Sequence, residues 1–342
     1  MQMRIAMRYA GVMGGRTWLV VAATLFGLFA TSCSQGDVVT IETTTPIGSE
    51  VRMCIQGTLT AIQGVEGATA GGDTVVLRVT APTVRLEGDI QGLDFLEASP
   101  NYKRLGLAKV DLTQCPKLER FSCYQSTLSE IDLSNNPALT SLTICSTPLG
   151  SVDVSKCPEL KKLVLEKCDL KGIDLTQNAK LQRLSVAWND MPLLDVSPCP
   201  ELEILDCNNA ILTSLDLSHC PKLQFVWCFR NDLTTLDLSK NVDLELLDCS
   251  QNRIAGLNLA NCKRLSELCI TKNIINSGNM EALVESLPAM QDGRAGKFIP
   301  VHPKVVDEMN EISEESTQAA LAKGWKVGLP ESRSTGHPYF LD

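Results

Sequence analysis

Leu118, Leu139, Leu160, Leu181, Leu202, Leu223, Leu244 and Leu265 stand 21 residues apart with no slip. So strict a repeat leaves few folds open. One short coil cannot bury its own apolar face, so each must stack on its neighbours and the chain must build a solenoid. Stacked coils make long, rigid surfaces, which suit binding better than chemistry.

The unit that starts at Leu223 reads LQFVWCFRNDLTTLDLSKNVD and generalises to L-x-x-L-x-C-x-x-N-x-L-x-x-L-D-L-S-x-N-P-x. It holds two similar halves. In each, apolar residues alternate with polar ones at the period of a strand. Two short extended segments per coil follow, joined by tight turns in which asparagine can bond backbone groups that no ladder satisfies. The register places Cys123, Ile144, Leu165, Val186, Cys207, Cys228, Cys249 and Ile270 in one inward row. The first-half asparagine stands at Asn189, Asn231, Asn252 and Asn273, but Ser126, Thr147, Cys168 and Ala210 replace it elsewhere. A continuous asparagine ladder is therefore not expected in the first three coils.

This pattern resembles the leucine-rich repeat family in its short bacterial form with a nested half-repeat. The end pieces LPAMQDGRAGKFIPV and AALAKGWKV, with TTTPIGSEVRMCI near the start, resemble internalin-like leucine-rich lipoproteins of Bacteroidetes-type bacteria. The expected fold is mainly β. Residues 39–89 form a β-type N-terminal cap, 90–277 the solenoid and 278–342 a small α/β C-terminal cap. Caps are required because an open end exposes core and unpaired strand edges.

Residues 1–32 are expected to be a leader. Arg4, Arg8 and Arg16 precede the apolar run Trp18–Ala30, which is too short to span a membrane and runs into Ala30-Thr31-Ser32-Cys33. Small residues ahead of a cysteine resemble a lipoprotein signal, with cleavage before Cys33 and acylation of its thiol and amine. Residues 33–38 are then anchor and tether. The expected location is the outer membrane, with the chain exposed at the cell surface and touching membrane only through its lipid. The chain holds 31 Lys and Arg against 40 Asp and Glu, a net −9, and loss of the three leader arginines takes it to −12. This acidity argues against nucleic acid as a partner.

Fourteen cysteines in an exported chain invite a disulfide reading. The register argues for free thiols instead. Cys115, Cys157, Cys199, Cys220 and Cys262 share a turn position with Asn136, Asn178 and Asn241, and the inward cysteines interchange with Ile, Leu and Val. Cysteines on adjacent coils lie about 4.8 Å apart with parallel side-chain vectors, a poor geometry for bridging.

No catalytic motif is present, and Cys145 and Cys269, expected to face outward, lack a histidine partner. No enzyme activity, cofactor or metal is expected. The row Asp132, Asp153, Asp174, Asp195, Asp216 and Asp237 is expected to bond turn N–H groups and the nearby hydroxyls rather than to hold Ca²⁺.

The outward positions of the first strand point to a site. Phe225, Trp227 and Phe229 alternate on one strand, so all three face one way. Ile204 and Leu246 flank them, Trp188 and Arg230 lie at strand ends, and Asp206, Asp248 and Arg183 supply charge. Exposed aromatics beside arginine are the usual make-up of an interface hot spot. The expected function is adhesin-like binding of an extracellular protein or glycan through this face. The rival readings are a periplasm-facing structural component without a ligand, and a patch covered by a loop such as 97–106 or by a second copy.

Overall fold

The structure is a computed structural model that describes residues 36–71, 74–95, 106–291, 295–302 and 307–328. The leader, Cys33 and most of the 97–106 loop lie outside the described residues.

The cap and the irregular first coil comprise β1 (Asp37–Thr43), β2 (Glu50–Gln63), β3 (Val65–Gly71), β4 (Thr74–Val79), β5 (Thr83–Asp94) and β6 (Leu107–Gln114). Each repeat then contributes one strand: β7 (Arg120–Tyr124), β8 (Ser141–Cys145), β9 (Lys162–Glu166), β10 (Arg183–Ser185), β11 (Ile204–Asp206), β12 (Phe225–Trp227), β13 (Leu246–Asp248) and β14 (Glu267–Cys269). The chain closes with α1 (Ser277–Ser286), β15 (Gly296–Ile299), α2 (Glu314–Ala322) and β16 (Trp325–Val327). The main sheet runs β16-β15-β14 through β7 to β5-β2-β4-β3.

The repeat strands are parallel and in register, so Ile204, Phe225 and Leu246 stand side by side, as do Asp206, Trp227 and Asp248. β5 joins the two parts of the sheet. Its end, Gly92–Asp94, pairs parallel with β7 on one side and antiparallel with β2 on the other. The antiparallel strands thereby cover the first edge of the parallel ladder. β1 bridges β5 and β6, tying the second half of the first coil to the cap. β1 and β3 are strands that the sequence pattern did not reveal.

At the far end Lys323 Nζ donates to the carbonyls of Val284, Glu285 and Leu287, satisfying the last turn of α1. Trp325 is buried, with Nε1 donating to Pro288 O at 2.8 Å. Gly296 is needed beneath it, because a Cβ there would lie 2.6 Å from the ring.

The repeat leucines and the whole inward row from Cys123 to Ile270 are buried in one continuous core. In the eight 21-residue repeats that follow, only the first extended segment joins the sheet. In the second, back-to-back turns such as Asn136 N to Leu133 O (3.2 Å) and Leu139 N to Asn136 O (3.1 Å) use the donors locally. What remains are isolated bonds between coils, such as Asp232 N to Leu212 O at 2.8 Å.

Asparagine amides tie successive coils together. Asn231 Nδ2 donates to Cys207 O and Cys228 O, both at 3.0 Å, and its Oδ1 accepts from the Ala210 and Leu212 N–H groups. In the first coils hydroxyls substitute, with Ser126 Oγ and Thr147 Oγ1 3.2 Å apart, and Cys168 Sγ donates to Ile144 O at 3.1 Å. The second turn position works alike. Asn241 Nδ2 donates to Leu217 O at 3.1 Å, and one coil earlier Cys220 Sγ donates to the equivalent carbonyl of Val196 at 3.3 Å. A thiol and an amide can both donate to that carbonyl, which is why the two residues interchange. The thirteen described cysteines are all free.

Candidate binding face

The sheet has one face on the core and one turned away from it. The second carries a separate apolar cluster of Val164, Ile204, Trp227 and Phe229, with Cys145, Phe225 and Leu246 packed at its border. The alternation read from the sequence thus puts the three aromatics on the predicted side. Phe225 and Trp227 stack with ring centroids 6.2 Å apart and planes 12° from parallel.

Their expected exposure is corrected by the structure. Trp227 is 5 % exposed and Phe229 9 %, while Phe225 is half-buried. The two flanking carboxylates are buried as well, Asp206 at 1 % and Asp248 at 5 %. A strand pattern says which way a side chain points but not what lies above it. Truncating Trp227 therefore touches packing and is expected to lower stability.

The buried carboxylates meet part of their hydrogen-bonding need locally. Asp206 Oδ1 accepts from the Asn208 N–H at 3.1 Å and from the Asn208 amide. Asp248 Oδ1 accepts from Ser250 N at 3.1 Å and Ser250 Oγ at 2.7 Å. Burial raises the Asp206 pKa to about 7, with Glu166 and Asp248 adding to the rise and the Asn208 bonds opposing it. The folded chain holds this proton more tightly than the unfolded one. Its contribution to stability therefore falls as pH rises from the ordinary carboxylate range toward 7.

Trp188 and Arg230 occupy a different structural position. They belong to a row, Gln125, Ser146, Lys167, Trp188, Asn209, Arg230, Gln251 and Lys272, with φ between 48° and 59° in every coil. The left-handed region costs a non-glycine residue about 1–2 kcal/mol. Bonds to the next coil offset this, such as Trp188 N to Asn208 O and Arg230 N to Ser250 O, both at 2.9 Å. The row carries the chain out of the strand and turns these side chains to the rim. Trp188 is 47 % exposed, with Lys167 Nζ 4.9 Å from its ring centroid. Arg230 is exposed and donates to Gln251 Oε1 at 3.1 Å. Arg183 is half-buried on the face itself, two strands from Phe225.

The aspartate row serves the turns. Asp132, Asp153, Asp174, Asp195, Asp216 and Asp237 each accept from the N–H two residues on at 2.8–2.9 Å. Bonds from the following Ser or Thr lower the pKa of every one. The thiols are shifted the other way. Burial pushes Cys115, Cys168 and Cys199 up to about 12, and raises Cys145 further beside Glu166. A thiol held protonated is a poor nucleophile.

These features define the class. The chain is a mainly β solenoid with the leucine-rich repeat fold. No family model matches it, and neither does any curated protein. Among solved structures, it is similar to the functional domain of InlJ from Listeria monocytogenes, which includes a cysteine ladder. The TM-score is 0.54 at 23% identity, covering 66% of this chain and 52% of that one. An internalin, InlF, from Listeria monocytogenes str. 4b F2365 matches at TM-score 0.46 and 17% identity, over 65% of this chain and 70% of that one. The Toll–Spatzle complex of Drosophila gives 0.46 and 19%, over 63% and 30%. The chain thus spans about half the length of the InlJ domain. It stacks three inward cysteines of its own, Cys207, Cys228 and Cys249, on consecutive coils.

Proposed function

We propose that the chain is a non-enzymatic binding protein of the cell envelope. It is exported by the 1–32 leader, held in the outer membrane by a lipid on Cys33, and recognises an extracellular protein or glycan through the outward face of its sheet. The observation that carries this reading is the second apolar cluster. The solenoid core is complete without Phe225, Trp227 and Phe229, so these rings add a large stacked surface to a face that the core does not need. Phe225, Arg183, Trp188 and Arg230 reach solvent at or beside it, and Asp206 and Asp248 line it.

The test is binding by residues 34–342 to arrays of envelope and host-surface proteins and glycans. Phe225→Asp replaces one of the stacked rings with a charge and is expected to weaken binding by about 2 kcal/mol or more, as loss of a hot spot does. Asp153→Ala, in the turn row, is expected to leave binding unchanged. Equal affinity in both variants, or no ligand on any array, would sink the proposal.

Anchoring has its own test. Cys33→Ser is expected to abolish lipid labelling and release the chain from membranes, because the lipid is its only hold there. A variant processed and retained like the parent would count against a lipoprotein. Protease added to intact cells should degrade the chain. Protection would favour the periplasm-facing alternative.

A further inference from the structure

The row of outward residues that opens the repeat strands changes character along the sheet. On β7–β10 it reads Arg120, Ser141, Lys162 and Arg183, side by side in register. On β11–β13 it reads Ile204, Phe225 and Leu246, which belong to the outward apolar cluster and its border. Seven adjacent strands thus carry three cations and no anion in this row, in a chain with 40 acidic residues against 31 basic ones. Arg120 is exposed, and Lys162, Arg183, Phe225 and Leu246 are half-buried, so both halves of the row reach solvent. Two acids lie further along the strands, and each takes a hydroxyl there. Asp94 Oδ1 accepts from Ser122 Oγ at 2.7 Å, and Glu166 Oε1 accepts from Ser185 Oγ at 2.8 Å.

We propose that the partner is an acidic peptide segment bound extended across the strands. Its carboxylates meet Arg120, Lys162 and Arg183, and an apolar side chain beyond them rests against Ile204, Phe225 and Leu246. This rests on the binding function proposed above and names the chemistry of the partner. A row of cations attracts carboxylates and repels basic chains, which governs the choice of partner and the rate of encounter. Strand spacing sets the pattern of the peptide. Arg120 and Arg183 are three strands apart, about 14 Å, and Phe225 lies two strands beyond Arg183, about 10 Å. An extended chain advances about 3.3 Å per residue. An acidic run of about four or five residues therefore spans the basic half, and a bulky apolar residue about three positions further reaches the other.

A glycan is a poorer fit. Asp206 and Asp248, the polar groups set among the apolar residues, are buried and accept from Asn208 and Ser250, so sugar hydroxyls would find few partners there. Ile204, Phe225 and Leu246 offer apolar surface, which suits a peptide side chain.

The test is fluorescence anisotropy of labelled peptides with the full chain in detergent. Two probes of about ten residues carry a run of glutamates and, about three positions beyond it, one phenylalanine, on the C-terminal side in one and the N-terminal side in the other. At least one is expected to bind about tenfold or more tightly than its counterpart with lysine for glutamate, and to weaken as salt rises from about 0.05 to 0.5 M. Arg183→Glu should cost about fivefold or more in affinity, and so should Arg120→Glu, an exposed site that spares the fold. Lys263→Glu, the same change of charge on an exposed turn, should leave affinity unchanged. Equal affinity for the lysine peptides, no binding of either glutamate peptide, or binding that survives both arginine changes overturns the proposal. A ligand found on the protein and glycan arrays that is lost with Phe225→Asp but kept with Arg120→Glu and Arg183→Glu would overturn this partner chemistry and leave the binding function standing.

Discussion

Asn189→Ala is expected to destabilise the chain by about 3 kcal/mol or more, whereas Asn252→Ala should cost about 1–2 kcal/mol, although both delete the same buried amide. The difference comes from the neighbours. Asn189 Nδ2 donates to Leu165 O at 2.6 Å and Val186 O at 2.8 Å, and its Oδ1 accepts from the Cys168 and Leu170 N–H groups at 2.9 and 3.1 Å. One coil before it stands Cys168, and one coil after stands Ala210, which has no polar group to offer. Its loss takes the amide donor from three carbonyls, Ala187 O at 3.3 Å being the third, and the acceptor from two N–H groups, with no adjacent amide to replace them.

Asn252 sits between Asn231 and Asn273. When it is removed, Cys228 O keeps Asn231 at 3.0 Å and Cys249 O keeps Asn273 at 3.1 Å. The native gap at Ala210 is bridged in the same way. Asn189 covers Val186 O, Asn231 covers Cys207 O, and the Met191 N–H turns to Ala210 O at 2.9 Å. Urea midpoints of the two variants decide the matter, and equal losses would show that the ladder acts residue by residue.

Leu202→Ala is expected to cost about 2–5 kcal/mol, the usual range for emptying a leucine site in a packed core. Leu202 is fully buried and lies midway along the row of repeat leucines, with Leu181 and Leu223 on the coils either side. Both neighbours are held by their own ladders, so the cavity cannot collapse easily. The damage should also spread, because each coil is stabilised mainly by the interface to the next. A denaturation midpoint unmoved by the change would contradict the stacking model.

The sequence by itself determined the period, the inward rows and the side of the sheet on which Phe225, Trp227 and Phe229 stand. These follow from spacing, because alternate residues of a strand face opposite ways and every coil repeats its neighbour. It also showed that the cysteines interchange with Ile, Leu, Val and Asn, and so are structural thiols. Only the tertiary structure decided three other matters. It showed that the second extended segment of the 21-residue repeats stays out of the sheet, because its turns use its donors locally. It showed that the gap at Ala210 is bridged from both sides, a property of three coils that no single repeat displays. It also showed that Trp227, Asp206 and Asp248 are buried on a face that the pattern marked as open. Periodicity reports the direction of a side chain relative to its own strand. Burial depends on everything that packs around it, which the spacing of one strand does not encode.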